Sequence, residues 1–425
     1  MIKPVIYVGQ PTDELFGKRE EAALFAEERV KEIIKNVKEK GDCALREYAA
    51  AFDGYSGESL KADEYEFEEA FKAVSPGYIS VLKRAAENIG RFHNMQKRRG
   101  FSIEDGGTVV GQKILPIDCA GVYVPGGTAA YPSSVLMNVI PAKIAGVKKI
   151  VMATPVKSDG KIKPEVLAAA KLCGVDAVFK IGGAQAIAAL AYGTETIPKV
   201  DKITGPGNAY VAAAKKLVSG IVCGIDMVAG PSEIMIIADS GANAVHLAAD
   251  MLSQAEHDSL ASALLITDSE PLAERVAAEL ENRVAGLPRR EIAAASLAAN
   301  CRIIVTPGIA EALEIANAYA PEHLELCVER PFELLDKVRN AGSVFLGRYT
   351  PEAAGDYYAG TNHTLPTGGS ARFSSPLGVD DFTKTIQYVY YTETALKSAA
   401  QDIAAFAFSE GLTAHADSVL KRFEK

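Results

Sequence analysis

The sequence predicts an α/β protein of two incomplete Rossmann-like domains, with a short N-terminal arm and a C-terminal helical tail. Three observations carry this. Strand-like apolar runs alternate with helix-like ones from about residue 109 to residue 347, the pattern of parallel sheets with crossover helices. Three glycine loops fall at strand-to-helix transitions within ninety residues. A chain of 425 residues is long enough for two or more domains at ~100–200 residues each.

In chain order, residues 1–19 read as the arm. Pro4 and Pro11 interrupt it, and the alternating Val5 and Tyr7 point to a short strand. Residues 20–100 are charged and helix-rich. Ala23, Phe25–Ala26, Val30, Ile33–Ile34 and Val37 recur at helical spacing, and Gly41 stops the run. A second helix, EFEEAFKAVSP, ends before Pro76, and a third, amphipathic one runs from Tyr78 towards Arg98. The stretch TVVGQKILPIDCAGVYVPGG is strand-rich and closes on the first glycine loop. Helix Ser133–Ala145, strand Lys149–Ala153, helix Pro164–Cys173 and strand Ala177–Ile181 follow. The loop Gly182–Gly183 opens the next helix, and Gly205-Pro206-Gly207-Asn208 opens another.

After Gly230 a second α/β stretch begins. EIMIIAD, ASALLITD, CRIIVTP and AGSVFLG read as strands. NAVHLAADMLSQAEHD, the run Pro271–Ala299 and FELLDKVRN read as helices, and IAEALEIANAYAPEHLELCVE as helix then strand. Residues 350–380 form a Gly-, Thr-, Ser- and Pro-rich loop, a length that is usually functional or a linker. The tail from Asp381 holds the strand-like TIQYVYYTE and then helix.

Composition excludes several function classes. With 45 basic and 54 acidic residues the formal charge is −9, which argues against nucleic acid as a main partner. The basic cluster Lys97–Arg99 reads as a solvated helix end. No run reaches the ~18 apolar residues of a membrane span, and no secretory signal is expected at the start. Six scattered cysteines without a CxxC pair fit reduced, mostly buried thiols in a cytoplasmic protein.

Gly-rich turns after strands let backbone N–H groups and a helix N-terminus approach phosphate. No G-x-G-x-x-G is present. Taken singly, each loop reads as a tight turn; three along one sheet edge read as a ligand crevice, with Tyr123, Gln185 and Asn208 at or just past them. Among the histidines, His93 reads as exposed surface. His246, Asp250, Gln254 and His257 share one helix face, as a solvated stripe or, at Gln254 and His257, as an oxygen and an imidazole able to grip a metal. Glu322 and His323 stand side by side at an expected βα junction, as a proton-transfer pair or a surface pair. Asp356 and His363 lie in the long polar loop, and His415 follows Glu410 in the last helix. An amide oxygen, a carboxylate and imidazoles make a donor set for zinc, manganese or cobalt.

All but His93, His246 and Asp250 lie in GVYVPGGTAAYPSSVLMNVIPAKIAG, IGGAQAIAALAYGTE, KITGPGNAYV, DMVAGPSEIMIIAD, MLSQAEHD, APEHLEL, AAGDYYAGTNHTLPT and EGLTAHADSV. Through these segments the chain, from about Glu20 to Arg422, resembles the histidinol dehydrogenases. The resemblance implies oxidation of L-histidinol to L-histidine through bound L-histidinal, the last steps of histidine biosynthesis, using two NAD+ and one Zn2+ per subunit. It implies Gln254, His257, Asp356 and His415 as zinc ligands and Glu322 and His323 as the acid–base pair. Ser232, His363 and Glu410, with Gln254, His257, His323, Asp356 and His415, would surround histidinol. Tyr123, Gln185 and Asn208 would hold NAD. It further implies a homodimer in which His415 and Glu410 reach the partner's site.

The implied domain plan is an arm (1–19), a discontinuous domain (20–115 plus 233–380) with the metal and acid–base residues, an inserted NAD-binding domain (116–232) and a tail (381–425) crossing to the partner. The run Ala405–Phe408 in that tail is more apolar than the resemblance leads one to expect. Rival readings are a relative oxidising another small amino or polar alcohol, a zinc hydrolase, a non-catalytic two-lobed binding protein, and a cysteine thiohemiacetal route through Cys119 or Cys327.

Overall fold

The computed structural model describes residues 2–16, 27–126 and 130–424. The expected helical positions Ala23 and Phe25–Ala26, and Gly127 of the first glycine loop, lie outside the described residues. In chain order the strands are β1 (Val5–Ile6), β2 (Phe101–Asp105), β3 (Thr108–Pro116), β4 (Cys119–Tyr123), β5 (Lys149–Ala153), β6 (Ala177–Phe179) and β7 (Lys202–Thr204). They continue with β8 (Gly224–Ile225), β9 (Glu233–Ala238), β10 (Ser262–Thr267), β11 (Arg302–Val305), β12 (His323–Cys327), β13 (Ser343–Leu346) and β14 (Thr383–Tyr391).

Two parallel sheets form the frame. One has the order β6-β5-β4-β7-β8, the other β1-β11-β10-β9-β12-β13. Parallel sheets are covered on both faces, so their strands are apolar without alternation. In β9 every residue is buried. Ile234 and Ile236 point into a core shared with the helices Ala244–Ala255, Glu270–Val284 and Arg290–Asn300, whereas Met235 and Ile237 point to the side of helix Ile309–Tyr319. The five-stranded sheet is covered in the same way. Helices Glu27–Lys40 and Pro76–Asn94 bury Val30, Ile33, Val37, Ile79, Leu82 and Ile89 in its two cores.

The folded chain divides into two compact units, 1–96 with 117–382, and 97–116 with 383–425. The first holds both parallel sheets. The second holds the antiparallel sheet β14-β3-β2 and the helices Glu393–Ser409 and Thr413–Leu420, which pack on each other through Ala404, Ala407 and Ala416. Residues 97–115 thus group with the C-terminal segment rather than with 20–96, because all nine residues of β3 pair with β14. Helices 27–94 also share their cores with strands of the 116–232 segment, to which the domain expectation had not joined them.

Local differences have local causes. The run read as one helix from Pro271 to Ala299 is two, Glu270–Val284 and Arg290–Asn300, because Gly286 and Pro288 break it. The last helix breaks at Gly411, which takes φ +75°. FELLDKVRN is helical for one turn, Phe332–Leu335. Phe101–Asp105, where the sequence pattern assigns no element, is a strand of the antiparallel sheet.

Candidate active site

Two regions of the first unit gather the residues singled out by sequence. One is a cleft of about 910 Å³ beyond the C-terminal ends of β4–β7, lined by Tyr123, Gly126, Gly183, Gln185 and Asn208 among others. All three glycine loops therefore reach it. The Gly183 N–H donates to the Tyr123 hydroxyl oxygen at 3.0 Å, and burial pushes that phenol up to about 12, so it stays neutral. Gln185 is buried in the helix Gly183–Tyr192. Asn208 caps helix Ala209–Val218 by accepting from the N–H groups of Tyr210 and Val211, each at 3.1 Å.

The second region lies at the N-terminal ends of β9 and β12, so Glu322–His323 sits at an αβ junction and not the expected βα one. The helix Ile309–Tyr319 ends on Ala320, at φ 55° the one non-glycine residue of positive φ among the described residues. Pro321, Glu322 and His323 follow at once. Glu233, which opens β9, holds both partners: its N–H donates to Glu322 Oε2 at 2.8 Å, and its carbonyl lies 3.0 Å from His323 Nδ1. With Nδ1–H donated to that carbonyl, Nε2 is the free nitrogen.

His323 Nε2 is buried and has no hydrogen-bond partner. It faces Asp356 Oδ1 at 3.6 Å and Glu352 Oε1 at 3.8 Å. Ligand atoms of His323, Glu352 and Asp356 all lie within 4.8 Å of one another. Gln254, fully buried at the end of helix Ala244–Ala255, joins them. With its amide oriented so that both atoms are satisfied, its nitrogen donates to both Glu352 oxygens (2.8 and 3.1 Å) and its oxygen accepts from the Glu233 N–H at 3.0 Å. Two carboxylates and an imidazole nitrogen lacking a partner are a donor set that a borderline divalent cation fits, and the opposite rotamer of the Gln254 amide would add its oxygen to them.

The electrostatics follow from burial. Burial by itself would lower His323, but Glu322, Glu352 and Asp356 outweigh it and hold the imidazole well above its ordinary value. Burial pushes Glu322 up to about 8 and Glu352 to about 7. Burial would raise Asp356 too, yet His323, His363 and His257 keep it below the usual carboxylate value. His363 is half-buried, with Nδ1 3.0 Å from the Asp356 carbonyl and Nε2 3.4 Å from Ser134 Oγ; burial lowers its pKa. Desolvation likewise lowers His257, which stands at the exposed end of the Gln254 turn. Ser232 directly precedes β9, its carbonyl accepting from the Ser262 N–H at 2.9 Å.

The structure therefore brings Ser232, Gln254, His257, Glu322, His323, Asp356 and His363 to one unit. Glu410 and His415 lie on the second unit, both exposed. His93, expected at the surface, is fully buried. Sequence reasoning missed Glu233, Glu325 and Glu352. The signal was present: Glu233 is an ionisable residue in an otherwise apolar strand, Glu325 in one apolar but for His323, and Glu352 stands four residues before Asp356. Glu325 is held well above its ordinary value by burial and then by Asp250.

The histidinol dehydrogenase family model matches residues 17–423. A histidinol dehydrogenase of Bacillus cereus is 54% identical over 397 residues, covering 93% of this chain and 92% of that one. One of Lactococcus lactis is 46% identical over the full length of both chains. The crystal structure of histidinol dehydrogenase from Elizabethkingia anophelis superposes with a TM-score of 0.93 at 39% identity, covering 98% of this chain and 97% of that chain.

Proposed function

Because the chain belongs to the histidinol dehydrogenase family, we propose that the His323 cluster and the glycine-loop cleft are the two halves of one NAD-dependent histidinol-oxidising site. The enzyme is an NAD-dependent oxidoreductase acting on histidinol. The observation that carries the reading is the buried, partnerless His323 Nε2 aimed at two carboxylates. Helix Pro132–Ala145 supports joining the halves: Ala130, just before it, lines the cleft, and Ser134 in its first turn contacts His363.

When bound, NAD+ supplies the hydride acceptor and a zinc ion supplies a template for the amino alcohol. Gln254, His257 and Asp356, with His415 of a second subunit, would hold that ion, and Tyr123, Gln185 and Asn208 the dinucleotide. Glu233 fixes the imidazole of His323 so that Nε2, in the fraction where it has given up its own proton, takes the hydroxyl proton of histidinol in the first oxidation. Glu322, in its ionised form, removes a proton from the water that adds to the aldehyde, and His323 Nε2, once it has released the first proton to solvent, takes the second hydroxyl proton. Ser232, His363 and Glu410 position the substrate.

A homodimer fits the second unit. Phe101, Ile103, Val389 and Tyr390 on its sheet and Phe406 and Phe408 on its helix are each more than half exposed. That much apolar surface on a small unit marks an interface, and the apolar run Ala405–Phe408 falls within it. Free cysteines at all six positions suit a reducing compartment, the cytoplasm. No helix among the described residues is long and apolar enough to cross a membrane.

The test is stoichiometric. Anaerobic turnover with metal analysis should give two NADH per histidinol consumed and one zinc per subunit. A ratio of one NADH overturns the four-electron scheme, and full turnover by metal-free enzyme overturns the metal assignment.

A further inference from the structure

The third glycine loop is clamped by a buried ion pair that the reaction does not use. The side chains of Lys215, on helix Ala209–Val218, and Asp226, just beyond β8, are 2% and 0% exposed, and the ammonium meets the carboxylate directly. Lys215 Nζ also donates to the Gly205 carbonyl at 3.0 Å. Asp226 Oδ2 accepts from the Gly205 N–H at 2.8 Å, and its Oδ1 accepts from the Met227 N–H at 2.6 Å. Both backbone groups of one residue thus end on one ion pair.

Gly205 needs this hold. It takes φ +114°, and a Cβ there would run into the carbonyl oxygen of Tyr123, a residue of the cleft wall. Three residues on, Asn208 lines the cleft and caps the very helix that carries Lys215. A buried ion pair is weak as a stabilising device, because apolar side chains of similar volume pack the same space at least as favourably. Its geometric product is one fixed loop conformation.

We infer that the Lys215–Asp226 pair is a positioning pair for the dinucleotide, holding Gly205–Asn208 in the conformation the cofactor requires. The inference rests on reading the 910 Å³ cleft as the dinucleotide site. It predicts a split between the two substrates. In the full-length enzyme, Lys215→Met/Asp226→Asn removes both charges and so leaves none buried alone, while the amide oxygen still accepts from the Gly205 N–H. The Kd for NADH, read by fluorescence titration, and the KM for NAD+ should rise on the order of ten- to a hundredfold. The KM for histidinol at saturating NAD+ should stay within about twofold, since those contacts are untouched.

Unchanged NADH binding in a folded double variant overturns the inference. So does a parallel loss of histidinol affinity and melting temperature, which would make the pair merely structural. Should the double variant fail to fold, Asp226→Glu, which keeps both charges and displaces the carboxylate from the Gly205 N–H, carries the same comparison. Gln185→Ala separates the two layers. If it weakens NADH binding and the double variant does not, the clamp fails and the cleft stands; if neither does, both fail.

Discussion

At His323 the two ring nitrogens have different surroundings. Nδ1 is anchored on the Glu233 carbonyl, while Nε2 has no partner and faces carboxylates. Replacement by asparagine keeps the size and removes the base, so kcat should fall roughly 10²–10⁴-fold in steady-state assays. The thiols behave differently. Burial first, then Glu325, pushes the Cys327 thiol far up, and burial raises Cys119, so neither is a thiolate at neutral pH. Cys327→Ser and Cys119→Ser should leave kcat within a few fold; an inactive Cys327→Ser enzyme of normal fold and zinc content would overturn the acid–base route.

Asp53, on the cleft wall, is another residue-scale case. Burial raises its carboxyl to about 6, and Oδ2 lacks a partner. A raised carboxyl pKa means that the native state favours the proton, so stability is fullest below the unfolded value of about 4 and is lost as pH rises through 6. Asp53→Asn should therefore stabilise at pH 7 by on the order of 1 kcal/mol and give no gain at pH 3, as read by urea unfolding.

At the scale of elements, the third helix and the polar loop are sewn together inside the protein. His93 Nδ1 lies 2.7 Å from Gln96 Oε1, which also accepts from the Val379 N–H, so Nδ1 carries the proton and Nε2 accepts from Asn362 Nδ2 at 3.4 Å. Asn362 also donates to the Met137 carbonyl at 2.7 Å and accepts from the Thr364 N–H, one residue on from His363. Burial lowers His93, which suits the neutral tautomer. Asn362→Ala strands several of these buried groups and should cost about 2–3 kcal/mol in chemical denaturation, with a raised KM for histidinol as the His363 loop loosens. The buried state of His93 was legible in spacing: it continues the stripe Ile79, Leu82, Ala85, Ile89. Its polar side chain masked that signal, because a buried histidine needs a partner at each nitrogen, and one of the two, Asn362, comes from 269 positions away.

For the whole molecule, the two proposed half-sites lie at opposite kinds of sheet edge, the cleft at strand C-termini and Glu322–His323 at strand N-termini. The first follows the usual rule for open α/β sheets; the second departs from it. If His415 serves the partner's site, Gln254→Ala and His415→Ala should each abolish activity. Subunits of the two variants, unfolded and reassociated together, should regain about a quarter of wild-type activity, since half the dimers are mixed and each mixed dimer has one complete site. No recovery, with mixed dimers verified by mass, would place both residues in the same subunit's site or outside it.

Sequence by itself determined the α/β class, the strand–helix alternation, the three glycine loops and Glu322–His323, because apolar periodicity, turn chemistry and side-by-side residues are local properties of the chain. Tertiary structure decided that Glu233 and Glu352 surround His323, that residues 108–116 pair with the C-terminal strand, that His93 is interior and that Lys215 and Asp226 grip one glycine. Each of these joins positions distant along the chain, and such contacts are selected by the packing of whole sheets and helices, which no single window of sequence encodes.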